Sequence, residues 1–213
     1  MRGDAKKILT ELERLYPDAK PELHFSDPYQ TLIATILSAQ CTDQKVNQVT
    51  PALFAAYPDA VAIAKAEPED IEPYIRLCGI YRNKARNIVA ACRQLVAQHG
   101  GRVPGDMEAL TALPGVGRKT ANVVMANAFG AQAIAVDTHV FRVSNRLGLA
   151  HAKDVLHTEE QLMEVIPREE WSRAHHWIIF HGRRVCRAIK PHCAACTLAS
   201  LCEYRQETKA ASG

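Results

Sequence analysis

Apolar residues recur at spacings of three and four along most of the chain, and no run alternates for long enough to make a strand. Ile8, Leu9, Leu12 and Leu15 form one such stripe, and Leu32, Ile33, Ile36 and Leu37 form another. This period gathers the apolar side chains on one face of an α-helix. Turn signals at Tyr16-Pro17-Asp18, Ser26-Asp27-Pro28, Tyr57-Pro58-Asp59, His99-Gly100-Gly101, Val103-Pro104-Gly105 and Gly130 cut the chain into pieces of helix length. The expectation is an all-α protein of about ten helices. Two uncharged stretches, 28–42 and 120–136, are shorter than a membrane span and contain Gln, Asn, Ser or Gly, so both predict buried helices.

A length of 213 residues allows one large or two small domains. With 47% hydrophobic and 23% charged residues, the composition excludes a disordered tail or a collagen-like repeat. The N-terminus is charged and has no apolar signal core, so the chain is expected to stay in the cytoplasm, without a membrane partner. Seven cysteines, an odd number, argue against a disulfide framework and for metal binding or buried thiols in a reducing compartment. The net charge of +3 decides little by itself. From Trp171 to Cys202, however, there is no acid, while Arg173, Arg183, Arg184, Arg187 and Lys190 all fall inside. That stretch predicts a local positive surface, either a merely solvated face or one suited to an anionic partner.

Cys186, Cys193, Cys196 and Cys202 lie within 17 residues at gaps of six, two and five, whereas Cys41, Cys78 and Cys92 stand apart. Four thiolates this close can wrap tetrahedral zinc or an iron-sulfur cluster. Zinc ribbons usually offer two Cys-x-x-Cys knuckles, and only Cys193-Ala194-Ala195-Cys196 has that form here, so the spacing leans to iron and sulfur. The isolated cysteines are read as core residues. Arg183, Arg184, Arg187 and Lys190 are interleaved with the cluster, where a metal-fixed loop would present them to phosphate without reading base sequence.

The string Leu113-Pro114-Gly115-Val116-Gly117-Arg118-Lys119 separates two helix-like segments. Glycine at 115 and 117 permits backbone conformations closed to other residues and a close approach to a ligand. Amides at the start of the second helix would attract phosphate. The string resembles the helix-hairpin-helix motif of the DNA glycosylase superfamily, whose hairpin binds backbone phosphates near a lesion. Leu113, Gly115, Val116, Gly117 and Arg118 are assigned to DNA on that basis. Lys119 would sit in the first turn of the helix, where the positive helix end and Arg118 both oppose a further cation. A neutral amine there can form a Schiff base; the plainer role is a surface or phosphate-binding lysine. Asp137 is the only acid between Lys119 and Asp154. Capping the following helix would explain it, and a carboxylate so placed could also stabilise positive charge on a sugar as the glycosidic bond breaks. His139 is a further candidate for DNA contact, or a satisfied structural histidine.

Together, the hairpin with Lys119, the Val136-Asp137-Thr138-His139 string and the cysteine gaps resemble the bacterial endonuclease III family, in the same order along nearly the whole chain. Ser38-Ala39-Gln40-Cys41-Thr42-Asp43 and Gly79-Ile80-Tyr81-Arg82-Asn83-Lys84-Ala85 also resemble family segments. The resemblance implies two α-helical domains flanking a DNA-binding cleft. Residues 22–132 would form a six-helix barrel with the hairpin, and residues 1–21 with 133–213 would surround one four-iron four-sulfur cluster on the four cysteines. It implies a monomeric DNA glycosylase and abasic-site lyase of base excision repair, acting on duplex DNA with oxidised pyrimidines such as thymine glycol, or with abasic sites. Lys119 would be the nucleophile and Asp137 its partner carboxylate, while Gln40 and an apolar wedge at Ile80 would fill the space left by a flipped nucleotide. The chain has Ile80 where Leu is more usual, and Cys41 where a smaller or hydroxyl residue is. Two rivals are an adenine-mismatch glycosylase, which typically lacks Lys at position 119, and a non-catalytic DNA-binding protein whose cluster senses redox state.

Overall fold

The computed structural model describes residues 3–210, all helix, turn and loop with no strand among them. The helices in chain order are α1 (Gly3–Leu15), α2 (Pro28–Ser38), α3 (Asp43–Ala56), α4 (Ala60–Ala64), α5 (Pro68–Ile75), α6 (Tyr81–His99), α7 (Met107–Thr111), α8 (Arg118–Phe129), α9 (Thr138–Leu147), α10 (Val155–Val165), α11 (Trp171–Arg184) and α12 (Glu203–Ala210). The two beyond the expected ten are accounted for by α4 and α7, five residues each and too short to show a period.

Aspartates in the turns start the helices. Asp27, Asp59, Asp106, Asp137 and Asp154 each hold an extended backbone conformation and accept a hydrogen bond from a first-turn amide. Each such cap is worth about 1 kcal/mol, because it satisfies a donor the helix itself cannot. Pro28 directly after Asp27 and Pro68 after Glu67 add a preset φ at the first helical position.

The chain divides into two compact units, residues 21–131 and residues up to Lys20 with those from Gln132 onward. The central unit holds α2 to α8 around a core that includes Leu32, Ile33, Leu37, Leu53, Ile71, Ile75, Ile88, Leu95 and Val124. Helix α2 is buried at every position from Thr31 to Leu37, as its lack of charge predicted. The second uncharged stretch differs. Helix α8 buries only Ala121, Asn122 and Val124 and stops at Gly130, and Ile134 to Val136 are buried outside any helix. In the other unit, Ile8, Leu9 and Leu12 of α1 pack with Val140, Val143, Leu147, Trp177, Ile178 and Leu198. At roughly 2 kcal/mol per buried aliphatic side chain, that stripe is what ties the N-terminal helix to the C-terminal third. No helix among the described residues is long and apolar enough to cross a membrane.

Candidate active site and metal centre

Helix α7, the hairpin and α8 follow one another as the sequence predicted. The Leu113 and Val116 side chains are buried, so these two hairpin residues can offer a ligand only their backbone. Gly115 has φ +77°, and a Cβ there would lie 2.9 Å from Asn87 Cβ, so the turn requires glycine. Gly117 does not: its φ is −89° and a Cβ would meet open space. The conformational argument made for both glycines therefore holds at 115 alone. As the N-cap of α8, Gly117 leaves the helix start without a side-chain cap. Arg118 and Lys119, both exposed, occupy that first turn.

Asp137 caps α9, its Oδ1 accepting from the amides of His139 and Val140, both at 2.8 Å. The bond geometry leaves it half-buried, with Oδ2 not used in the cap. His139 is half-buried too, and Arg142 Nη2 donates to its Nδ1 at 3.1 Å. Its Cβ also sits 3.0 Å from where a Cβ at Gly182 would be. The structural role weighed for His139 is thus observed, as the packing link between α9 and α11.

Gln40 lies between α2 and α3, and Ile80 between α5 and α6. Both are exposed, Ile80 at 56%, unusual for a large aliphatic side chain. Among the described residues, Gln40, Ile80 and Lys190 are the non-glycine residues with positive φ, at 52°, 51° and 50°. That conformation is a marked outlier for a β-branched residue, costs on the order of 1–3 kcal/mol, and concentrates at functional sites. All three had been singled out for DNA contact. Nearby, Lys84 is buried at 3% exposure, and its Nζ donates to the Leu37 carbonyl at 2.8 Å. Removal from water lowers its pKa, opposed by the neighbouring Cys41 and Cys78. Nothing in the local residues signals this, because a lysine between Asn and Ala in a helix reads as surface.

The acid-free stretch forms α11 and the loop after it. Arg183, Arg184, Arg187 and Lys190 are exposed. Arg184 stacks over the Phe180 ring at 4.6 Å. Arg173, counted in the basic surface, is instead paired with Glu13 of α1, 160 residues away in sequence, and stacked on Trp177.

Cys186, Cys193, Cys196 and Cys202 line one cavity with His181, Leu147 and Tyr204, enclosing about 330 Å³ of empty space that is partly open to solvent. Among the described residues no three His, Cys, Asp or Glu side chains converge on a single ion. Tetrahedral zinc would need sulfurs about 3.8 Å apart, from Zn–S bonds of about 2.3 Å. The cavity walls reach the sulfurs: Arg146 Nη1 donates to Cys186 Sγ at 3.5 Å, and His181 Nε2 lies 3.7 Å from Cys196 Sγ. Tyr16, directly after α1, meets His181 Nδ1 through its hydroxyl at 3.1 Å. Arg146 further donates to the carbonyls of Arg187 and Ala188 at 2.8 and 3.2 Å and stacks on Tyr204 at 4.6 Å. Arg142 donates to the Cys186 carbonyl at 3.1 Å. None of these four supports was visible from spacing. Burial pushes the Cys196 and Cys202 thiols up, so thiolates here call for a cationic centre between them.

Comparison with known proteins bears on both regions. Residues 33–168 match the model of the HhH-GPD superfamily, base excision DNA repair proteins. The chain is 53% identical over 203 residues to endonuclease III of Synechocystis sp., covering 95% of this chain and 93% of that one. Among solved structures it is similar to a trapped endonuclease III–DNA covalent intermediate in an estranged-adenine complex, with 48% identity, a TM-score of 0.91 and coverage of 96% and 98% of the two chains. It is similar also to a non-covalent endonuclease III–DNA complex, with 47% identity, a TM-score of 0.93 and 99% of each chain covered.

Proposed function

Because the chain belongs to the endonuclease III family of HhH-GPD base excision DNA repair proteins, we propose that its DNA glycosylase and abasic-site lyase chemistry runs through Lys119, with Asp137 as partner carboxylate and oxidised pyrimidines as substrates. The observation that carries this reading is an exposed amine in the first turn of α8, a helix start with no side-chain cap, directly after a hairpin that presents its backbone. The Lys119 amine attacks C1′ of the damaged nucleotide and the glycosidic bond breaks, its electron pair leaving with the base. Asp137 stabilises the positive charge that develops on the sugar. The resulting imine acidifies C2′–H; loss of that proton sends electrons towards C3′ and expels the 3′ phosphate by β-elimination. Oxidised pyrimidines pair and stack poorly, which lowers the cost of flipping them out. Gln40 and Ile80, already held in left-handed conformations, fill the gap, and Arg183, Arg184 and Lys190 grip phosphate.

Borohydride reduction of the imine tests the assignment. Wild-type protein should be trapped on DNA with thymine glycol or an abasic site, and Lys119→Ala should lose trapping by at least about a thousandfold. Lys84 is unsuitable as the control lysine, since its removal strands the buried Leu37 carbonyl; exposed Lys65→Ala should trap normally. Undiminished trapping in Lys119→Ala removes the assignment.

The cysteine cavity supports a single four-iron four-sulfur cluster held by Cys186, Cys193, Cys196 and Cys202. Such a cluster, with all-thiolate ligation, would cross-link the loop that carries Lys190 and contribute folding energy to it. Purified protein should be brown, with about four iron and four sulfide per chain. Colourless protein with one zinc overturns this reading.

A further inference from the structure

Cys41 and Cys78 lie outside the metal cavity, one on each of the two segments that carry Gln40 and Ile80. Cys78 is fully buried, and Cys41 is half-buried against the same core. Their thiols lie near enough to act on one another. The backbones converge independently of the thiols, since a Cβ on Gly79 would lie 3.6 Å from the Gln40 carbonyl oxygen. The buried Lys84 ammonium acts electrostatically on both sulfurs. Two thiols on segments whose backbones converge this closely can reach the disulfide S–S length of about 2.05 Å by side-chain rotation and a small approach.

We propose that Cys41 and Cys78 form a reversible dithiol–disulfide site, oxidised by hydroperoxides, that links the Gln40 segment covalently to the Ile80 segment. Cys41 is the sulfur that solvent reaches. Its thiolate attacks a peroxide oxygen, the O–O bond breaks, and the departing hydroxide takes up a proton as water, leaving a sulfenic acid on Cys41. The Cys78 sulfur then attacks the Cys41 sulfur, the S–O bond breaks, and the Cys78 proton leaves with the hydroxyl as a second water. Two thiols have lost two electrons and two protons, and hydrogen peroxide has become two water molecules. A dithiol reductant reverses the link by exchange. Burial pushes the Cys78 thiol up to about 12, which keeps it from meeting peroxide first; its place beside Cys41 in the same core is what makes it the resolving sulfur.

The experiment treats the full, cluster-loaded chain with hydrogen peroxide, alkylates it in denaturant, and maps non-reduced peptides by mass spectrometry. A Cys41–Cys78 peptide pair should appear, vanish with dithiothreitol, and be absent from Cys41→Ala, while the buried Cys92 alkylates as before. Cluster absorbance should persist through the treatment. Cys41 stopping at sulfinic acid beside an intact Cys78 thiol overturns the site, as does a link from Cys41 to any other cysteine. The effect on DNA rests on reading Gln40 and Ile80 as the gap-filling pair. Linked protein should bind an abasic-site analogue about tenfold more weakly, recovering on reduction. Unchanged affinity in protein shown to be linked overturns that gap-filling reading and leaves the disulfide site standing.

Discussion

Gly115 and Lys190 both carry positive φ, 77° and 50°, yet they reach it by opposite routes. In the hairpin the residue itself supplies the freedom. The Val116 amide closes the turn on the Leu113 carbonyl at 3.1 Å, and the side chains of the same two residues anchor it in the core. In the cysteine loop the residue supplies nothing, and the conformation is imposed from elsewhere in the chain. Arg146 holds the carbonyls of Arg187 and Ala188, Arg142 holds that of Cys186, and His181 abuts Cys196. A shape encoded by its own seven residues travels with them and can be read from them. A shape held by clamps some 40 positions away in sequence cannot.

The sharpest way to break this contrast is to cut the clamp. Arg146→Ala removes two hydrogen bonds to carbonyls, a contact to sulfur and a cation–π stack, and it should destabilise the second unit by about 3 kcal/mol in urea unfolding. Arg146→Lys should recover less than half of that, because an ammonium lacks the planar fork that spans both carbonyls. Unaltered stability in Arg146→Ala would mean that the four cysteines hold the loop unaided. The hairpin offers the complementary test at smaller cost. Gly115→Ala should lose about 2 kcal/mol, from the left-handed backbone together with the collision with Asn87. Gly117→Ala, with an ordinary φ and open space ahead, should lose less than about 1 kcal/mol, mostly as a poorer N-cap. Equal losses at the two positions would remove the distinction drawn between them.

The same distinction decides what could be read from residues alone. The aspartate caps, the hairpin and the four-cysteine set were legible because each depends on near neighbours. Asp137 showed its capping role through its place before an apolar helix, and two Oδ1 hydrogen bonds now account for it. Gln40 and Ile80 came from the family resemblance; their backbone strain was invisible, since nothing in either residue type announces a left-handed conformation. Lys84 and Arg173 were misleading for one reason: their partners, the Leu37 carbonyl and Glu13, are brought to them only by the fold. Glycine at 117 invited an argument that applies two residues earlier.

One more long-range tie reaches the cysteine loop, from α1, and it is the weakest of the set. Arg14 holds the Glu11 carboxylate bidentately at 2.7 Å, and the Thr197 hydroxyl, between Cys196 and Leu198, lies near enough to lower its pKa further. These two groups, Arg14 first, depress Glu11 from its ordinary 4.5 to about 2. A depressed carboxylate stabilises the folded state fully above pH 4.5 and loses that contribution as pH falls towards 2. The pair is open to solvent, so screening holds its worth below about 1 kcal/mol. Glu11→Gln should therefore flatten the decline of urea stability between pH 5 and pH 3 by only a small amount. Thr197→Val, which leaves the Arg14 pair intact, should flatten it by less still. If Glu11→Gln matches wild type across that window, the N-terminal segment steadies the loop through Tyr16 and the buried stripe alone, and the clamp from α9 becomes the larger share of what shapes the cysteine loop.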